Sequence, residues 1–379
     1  MNKILVLGGG LVGKVIAADL AADRKIKVSL SDIATEHLKI FAKVNNLALI
    51  RTDFRDYKVL KSLAGNFDLI VSAVPGFMGY EVLSNLIETA KPIVDIAFMP
   101  ENQLYLDKLA KKKRIPVIVD CGVSPGLSNL AIGLASLYFD DFIEGRICVG
   151  GLPLRRELPY QYRIVFSAAD VIEEYVRPAR MINDGKVIIK DALSEVEIID
   201  FPEIGSLEGF NSDGLRTLLF TVKLRNLVEK TLRFPGHADL MKTLRYTGFF
   251  DTEPIDIDGK KIAPRDLSKR LLQKVWKMPE DEGDFCLLDV ESKGIRKKKH
   301  ERMRFFLLDY HDRKTGYTAM ARTTGFPASI TARYILKNKI KETGILPLEL
   351  MAKDKAYVSY LLDELSRRGV NLKQEIDTL

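Results

Sequence analysis

Cysteine is almost missing from this sequence. Cys121, Cys148 and Cys286 are the only three in 379 residues. Thiols that are odd in number and widely spaced exclude a disulfide scaffold and give no zinc-site spacing, so no metal is expected. Histidine is also scarce, limited to His37, His237, His300 and His311. No apolar run approaches the ~20 residues of a membrane span, so no membrane partner is expected. The start holds no charged-then-apolar leader, because Asp19 and Asp23 interrupt it, and a cytoplasmic location is expected. Internal repeats and low-complexity linkers are absent too.

Charge of one sign does not dominate. The formal net charge is +7, yet 51 acids accompany the 58 bases. Two basic runs stand out, KKKR at 111–114 and RKKKH at 296–300. The first ends a predicted helix, where cations suit the dipole. The second reads as a hairpin turn between apolar strands. Both are expected to be solvated surface, so nucleic acid is not expected as a partner.

What is present begins at residue 5 with LVLGGGLVGKVIAADLA. The stretch fits two phosphate-binding patterns. One is G-x-G-x-x-G on Gly8, Gly10 and Gly13; the other is the P-loop beginning G-x-x-x-x-G-K on Gly8, Gly13 and Lys14. A P-loop needs Ser or Thr after the lysine to ligate magnesium, and Val15 stands there. The dinucleotide pattern needs a strand before, a helix after and an acid about 20 residues on. KILVL precedes the glycines, Val15, Ile16 and Leu20 follow at helical spacing, and KIKVSLSD ends in Asp32, 19 residues after Gly13. Gly8 permits the tight turn, Gly10 lets the pyrophosphate approach, and Gly13 lets helix and sheet pack closely. Asp32 can bind a ribose and repels a 2′-phosphate, so NAD is the expected cofactor. Arg24 and Lys25 lie before the strand and do not form a phosphate clamp.

Apolar runs at 4–7, 28–30, 47–50, 69–74, 92–96 and 117–119 alternate with amphipathic stretches such as 80–90 and 102–112. This is the pattern of a Rossmann-type, doubly wound parallel sheet. Ligands bind at the carboxyl ends of such strands. Those ends carry Asp32 and Ile33, Asp53, Ala73-Val74-Pro75, Asp95 and Asp120-Cys121. The expected cofactor contacts are these residues up to Asp95, with Leu11 and Val12 in the glycine turn. Asp53 fits an adenine contact or a helix cap equally.

Near Cys121 the pattern changes. GRICVGG, YRIVF, ARMI, KVIIKD, SEVEIIDF, TLRF, DFCLLDVES and RMRFFLLDYH read as strands, with NDGK at 183–186 as a hairpin turn. Helices are predicted at 126–136, 237–246, 264–277, 330–337 and 356–367. The fold class is α/β, with a second α+β domain around a mixed or antiparallel sheet. The cofactor domain is expected over 1–122, completed by helices in 325–379, and the substrate and oligomerisation domain over 123–324. His237 follows Pro235-Gly236 at a helix start, where capping, packing and catalysis are equally open.

The ordered set VDIAFMPEN, DCGVSPGLSNL, EEYVRPARMINDGK, GSLEGFNSDGLRTL, RFPGHADLMKTLRYTGFF and TGFPASITARYIL spans residues 94–336. Together with LGGGLVGK it resembles the saccharopine dehydrogenase-like family, and within it the lysine 6-dehydrogenases. Phe234 stands where the related RYPGH motif has Tyr. The resemblance implies NAD-linked oxidation at the ε-carbon of lysine, with ammonia leaving and the aldehyde cyclising to piperideine-6-carboxylate. It also implies a homodimer through the sheet domain. It implies that Glu208, Ser212, Arg216 and His237 line the substrate side, with Asp120, Cys121 and Gly122 near the nicotinamide. His237, Asp120 and Cys121 are then the expected catalytic groups. The alternatives are a saccharopine-type opine oxidoreductase acting on a larger dicarboxylic amine and a non-catalytic NAD-binding sensor.

Overall fold

The computed structural model describes residues 1–166, 168–279, 281–337 and 339–379. The chain forms two compact units. The first comprises residues 1–138, 216–222 and 321–372, and the second 139–215, 223–320 and 373–379.

In the first unit, seven parallel strands form one sheet among the described residues. Their order is Gly344–Ile345, Pro116–Ile118, Ile93–Asp95, Leu69–Ser72, Asn2–Leu7, Ile26–Asp32 and Ala48–Arg51. Parallel strands need crossovers, and covering helices bury both faces. Hence the central strand Asn2–Leu7 has no exposed residue from Ile4 to Leu7. Leu5, Leu7, Ile70, Val82, Leu86, Ile93 and Val117 form its core. The edge strand Gly344–Ile345, only two residues long, carried no periodicity from which to foresee it.

The boundaries differ from those expected at 122/123 and 324/325. Residues 123–138 belong to the first unit, because the helix Leu127–Tyr138 packs on Leu348–Met351. The approach is so close that a Cβ on Gly133 would lie 2.5 Å from the Glu349 carbonyl oxygen. Residues 216–222 also belong to the first unit. Residues 373–379 belong to the second, where Lys373–Thr378 pairs antiparallel with Lys299–Tyr310.

The second unit is built on a mixed nine-stranded sheet. Its spine is the hairpin Asp284–Arg296 and Lys299–Tyr310, with Asp141–Pro153 alongside. Lys297 and Lys298 make its tip in left-handed conformation, so the basic run is a turn. NDGK is likewise the turn between Ala179–Asn183 and Lys186–Lys190. YRIVF differs from its strand assignment. Its alternating pattern is satisfied by an aromatic cluster of Tyr162, Tyr175, Phe210, Phe250 and Trp276 instead of a ladder. The helix Ala168–Val176 was not foreseen. No helix among the described residues is long and apolar enough to cross a membrane.

One ion cluster ties the C-terminal segment to the first helix, Leu11–Ala21. Asp19 accepts from Arg333, from Arg368 Nε at 2.8 Å and from Ser329 Oγ at 2.6 Å. Burial opposes ionisation of Asp19, but the two guanidiniums outweigh it and hold the carboxyl below its usual range. A depressed folded-state pKa adds stability above the unfolded value, and this is lost as pH falls through the folded one. Asp19→Ala strands two largely buried guanidiniums and is expected to cost about 3 kcal/mol at pH 7. The penalty should shrink below pH 4. Urea unfolding of both proteins at pH 7 and pH 3 checks this, and a pH-independent difference would contradict it.

Candidate active site

The carboxyl ends of the first sheet present a glycine turn. Gly8 has φ +96°, and a Cβ on it would lie 2.4 Å from the Ala73 carbonyl oxygen. A Cβ on Gly13 would lie 1.9 Å from the Gly8 oxygen. Above Gly10, by contrast, no atom stands within 4 Å of a Cβ position. Gly10 also leaves the helix Leu11–Ala21 without a side-chain cap, and Leu11 at its first position is exposed. Uncapped amides at a helix N-terminus suit a pyrophosphate.

Asp32 closes the strand Ile26–Asp32. Its Oδ2 accepts from the Gly9 N–H at 2.7 Å and its Oδ1 from the Ala34 N–H at 2.9 Å. These bonds fix the carboxylate beside the glycine turn, while each oxygen keeps a lone pair for a ribose hydroxyl. Ile33 beside it is half exposed. The Ala73 N–H bonds the Leu7 carbonyl at 2.8 Å, Val74 is buried, and Pro75 precedes the helix Gly76–Ile87. These residues fit a dinucleotide. Asp53, open to an adenine contact or a helix cap, points to neither a helix N–H nor a buried partner. It pairs with Arg55 at 2.6 Å on the surface, and that bond holds its carboxyl down at about 2.

Deeper at the same edge lies a charged cluster. Asp95 ends its strand, and its carbonyl accepts from the Cys121 N–H at 3.1 Å, which sets Asp95 beside Asp120. Asp120 Oδ1 accepts from Gln103 Nε2 at 2.9 Å and from Arg216 Nη2 at 3.4 Å. The Arg216 guanidinium also sits over Phe98, 5.5 Å from the ring centroid. Asp95, Asp120 and Arg216 are all buried. Even so, Asp120 Oδ2 and the Arg216 Nε and Nη1 atoms have no hydrogen-bond partner among the described residues. Burial pushes the Asp95 carboxyl up to about 7; the Ser72 hydroxyl, the Ala97 N–H and Arg216 oppose this, and the neighbouring Asp120 adds to it. Unsatisfied buried donors and acceptors facing one another mark a place for a polar ligand.

The expected residues fall in both units. Asp120, Arg216, Cys121 and Gly122 gather in the first unit. Cys121 is a buried thiol 3.4 Å from Thr331 Oγ1, and burial pushes it up to about 12, so it stays protonated. The Gly122 N–H bonds the Pro125 carbonyl in a tight loop, where a Cβ on Gly126 would lie 1.9 Å from the Gly122 oxygen.

Glu208, Ser212 and His237 lie in the second unit, each engaged in its own network. Glu208 accepts from the Gly236 N–H at 2.8 Å and from the Ala238 N–H, capping the helix His237–Tyr246. Ser212 donates to Glu229 Oε2 at 2.6 Å and shares a bond with Thr231 at 2.7 Å. His237 is buried with both ring nitrogens occupied, one by the Tyr175 hydroxyl at 2.9 Å and one by the Tyr160 carbonyl at 3.0 Å. Burial, helped by Arg233, lowers it to about 3. The imidazole is thus held neutral near pH 7 inside an aromatic cluster, with neither ring nitrogen open to a further partner. Gln103 and Phe98, which set Asp120 and Arg216, were not foreseen. The only sequence signal was their place inside VDIAFMPENQ. Among the described residues, no group of three His, Cys, Asp or Glu side chains is arranged to hold a metal.

The family model of the saccharopine dehydrogenase NADP binding domain matches residues 4–118, and that of the saccharopine dehydrogenase C-terminal domain matches residues 122–370. Alpha-aminoadipic semialdehyde synthase of Arabidopsis thaliana is 23% identical over 99% of this chain, which spans only 45% of that protein. The mitochondrial protein of the same name from Mus musculus is 23% identical, over 91% of this chain and 45% of its own length. The chain therefore spans about half the length of these relatives. Saccharopine dehydrogenase (NADP(+), L-glutamate-forming) of Saccharomyces cerevisiae is 21% identical, over 91% of this chain and 93% of its own length. The solved structure of apo histidine-tagged saccharopine dehydrogenase (L-Glu forming) from Saccharomyces cerevisiae matches with a TM-score of 0.81 at 20% identity, over 100% of each chain. That likeness shows a common fold. With family models covering both its nucleotide-binding segment and the rest of its length, the chain belongs to the saccharopine dehydrogenase family, and its first unit carries that family's nicotinamide-cofactor-binding domain.

Proposed function

We propose that this chain oxidises the carbon–nitrogen bond at the ε-carbon of lysine with NAD as acceptor. Lysine, NAD and water give the ε-aldehyde, ammonium, NADH and a proton, and the aldehyde closes on its own α-amine with loss of water. One observation carries this reading. Two buried carboxyl groups, Asp95 and Asp120, face a single guanidinium, Arg216. With both ionised, one negative charge is left over, and an ammonium group matches it.

Within that cluster, the free Asp120 Oδ2 receives the amine, with Gln103 and Arg216 holding the carboxylate in place. Asp95 takes the amine's proton, a role the buried His237 does not fill. A bound nicotinamide supplies the acceptor for the hydride that leaves the ε-carbon. Hydride loss needs a free nitrogen lone pair, and the ε-ammonium has a reference pKa of about 10.4. A carboxylate with pKa about 7 is roughly 3 units too weak a base, or about 4 kcal/mol. Asp95 then returns the proton as water adds to the imine carbon and ammonia departs. Gln103, Phe98 and Gly122 shape the pocket and make no proton transfer.

A second reading is favoured by the two unpartnered N–H groups of Arg216. They suit a carboxylate attached close to the reacting nitrogen, as in saccharopine, and relatives bear the name saccharopine dehydrogenase. Both readings oxidise the same lysine ε-carbon and differ in what the nitrogen carries.

The two readings predict different products in one screen. Lysine should yield NADH at a rate that rises from pH 7 toward pH 10; NADH from saccharopine alone would move the assignment to the second reading. The same screen with NADP tests the cofactor. Asp32 opposes a 2′-phosphate, so NAD should be preferred, and Asp32→Ser should narrow the preference by about 10-fold or more. Wild-type protein equally active with NADP would defeat that assignment.

Asp95 also predicts a stability profile. Its folded pKa lies above the unfolded one, so the native state holds a proton that the unfolded state loses. Stability contributed by protonated Asp95 is present at low pH and lost as pH rises from about 4 to about 7. Asp95→Asn should therefore raise Tm more at pH 8 than at pH 4.5, while abolishing most turnover. Equal gains at both pH values would show that Asp95 ionises freely.

A further inference from the structure

Arg216 stands in left-handed conformation, φ +54°, which a non-glycine residue adopts only when its neighbours hold it. The residues after it form just one helical turn, Leu218–Thr221. A single turn does not hold itself, since nucleation is unfavourable. It is held by two buried side chains from elsewhere in the first unit. Asn129 Nδ2 donates to Thr217 Oγ1 at 3.3 Å and to Glu349 Oε2 at 3.1 Å. Thr221 Oγ1 donates to Glu349 Oε1 at 2.7 Å. Asn129, Thr217 and Glu349 are all buried.

The other end of the Asn129 amide reaches the opposite arm of the site. Its Oδ1 accepts from the Gly126 N–H at 3.0 Å and from Ser128 Oγ at 3.2 Å. Gly126 closes the loop that begins at Gly122, two residues after Asp120. One carboxamide thus joins the loop following Asp120 to the turn following Arg216. Glu349 is itself fixed by the close approach of its backbone to Gly133.

We infer that Asn129 and Glu349 are positioning residues that set Arg216 against Asp120 and so determine substrate affinity without touching the substrate. The inference rests on the reading of Asp95, Asp120 and Arg216 as the amine site. Glu349→Gln can keep the arrangement, with its oxygen toward Asn129 and its amide donating to Thr221 Oγ1, whose proton then turns from residue 349 to the Thr217 carbonyl. Glu349→Ala cannot.

The test uses the full chain. Variants Glu349→Ala, Glu349→Gln, Thr217→Val, Arg216→Ala and the double variant Glu349→Ala/Arg216→Ala are crystallised and assayed with the substrate found above. NAD binding is followed by titration. Glu349→Ala should lose the Arg216–Asp120 contact and raise KM by about 10-fold, with kcat changed less than about 3-fold and NAD affinity at the parental value. Glu349→Gln should restore KM. The double variant should be no worse than Arg216→Ala, because the two act through one group. If Glu349→Ala does not fold, Thr217→Val, which removes one hydroxyl, carries the same expectation in milder form. An intact Arg216–Asp120 contact in these variants, or losses that simply multiply in the double variant, would overturn the inference. If the contact is lost while neither Glu349→Ala nor Arg216→Ala changes KM, positioning stands and the amine-site reading falls.

Discussion

The buried contact between Asp120 and Arg216 is the constraint around which the first unit is arranged. Both residues hold left-handed backbone, φ +50° and φ +54°, although neither is glycine. Each such residue costs roughly 1–2 kcal/mol. Two charges are also withdrawn from water for a contact of 3.4 Å, leaving several polar atoms without partners. Fold stability alone gives no reason to retain such an arrangement, since well-packed apolar groups replace buried ion pairs at little cost. Its persistence makes sense if a ligand completes the missing bonds.

Much of the surrounding structure offsets that strain. Gln103 satisfies one Asp120 oxygen, Phe98 covers the guanidinium, and the Asn129–Glu349 bridge immobilises the turn beyond Arg216. The helix Leu127–Tyr138 approaches Leu348–Met351 closely enough that only glycine fits at 133. Within the same unit, the Asp19 cluster anchors the C-terminal segment that supplies Glu349. A site built from residues at 95, 120 and 216 therefore depends on chain near 349, which lies far from all of them in sequence.

This dependence explains what was legible in the sequence. The glycine turn was, because backbone approach within 2.5 Å leaves no substitute for glycine at 8 or 13, and the requirement is local. Asp120 and Asp95 were also legible, since parallel strands direct their carboxyl ends to one edge. Gln103 and Glu349 were not; their partners lie 17 and 220 residues away, and neither breaks a local pattern. YRIVF misled because alternation satisfies a strand and an aromatic cluster alike. His237 marked a helix start correctly, but a histidine at a helix start carries no sign of which way its ring turns. Here the ring packs against Tyr162 and Tyr175, with centroids 5.4 Å and 5.5 Å away.

The same contrast separates structural from chemical polarity in this protein. His237, Glu208 and Ser212 are buried with their polar side-chain atoms bonded, and those bonds order the surrounding chain. Asp95 differs in kind. It is buried beside a second carboxylate and retains an oxygen without a partner, so its proton affinity is free to respond to what binds. A cation arriving beside Asp95 lowers the cost of ionising it, and a neutral ligand leaves its proton in place. Substrate charge and site protonation are thereby coupled.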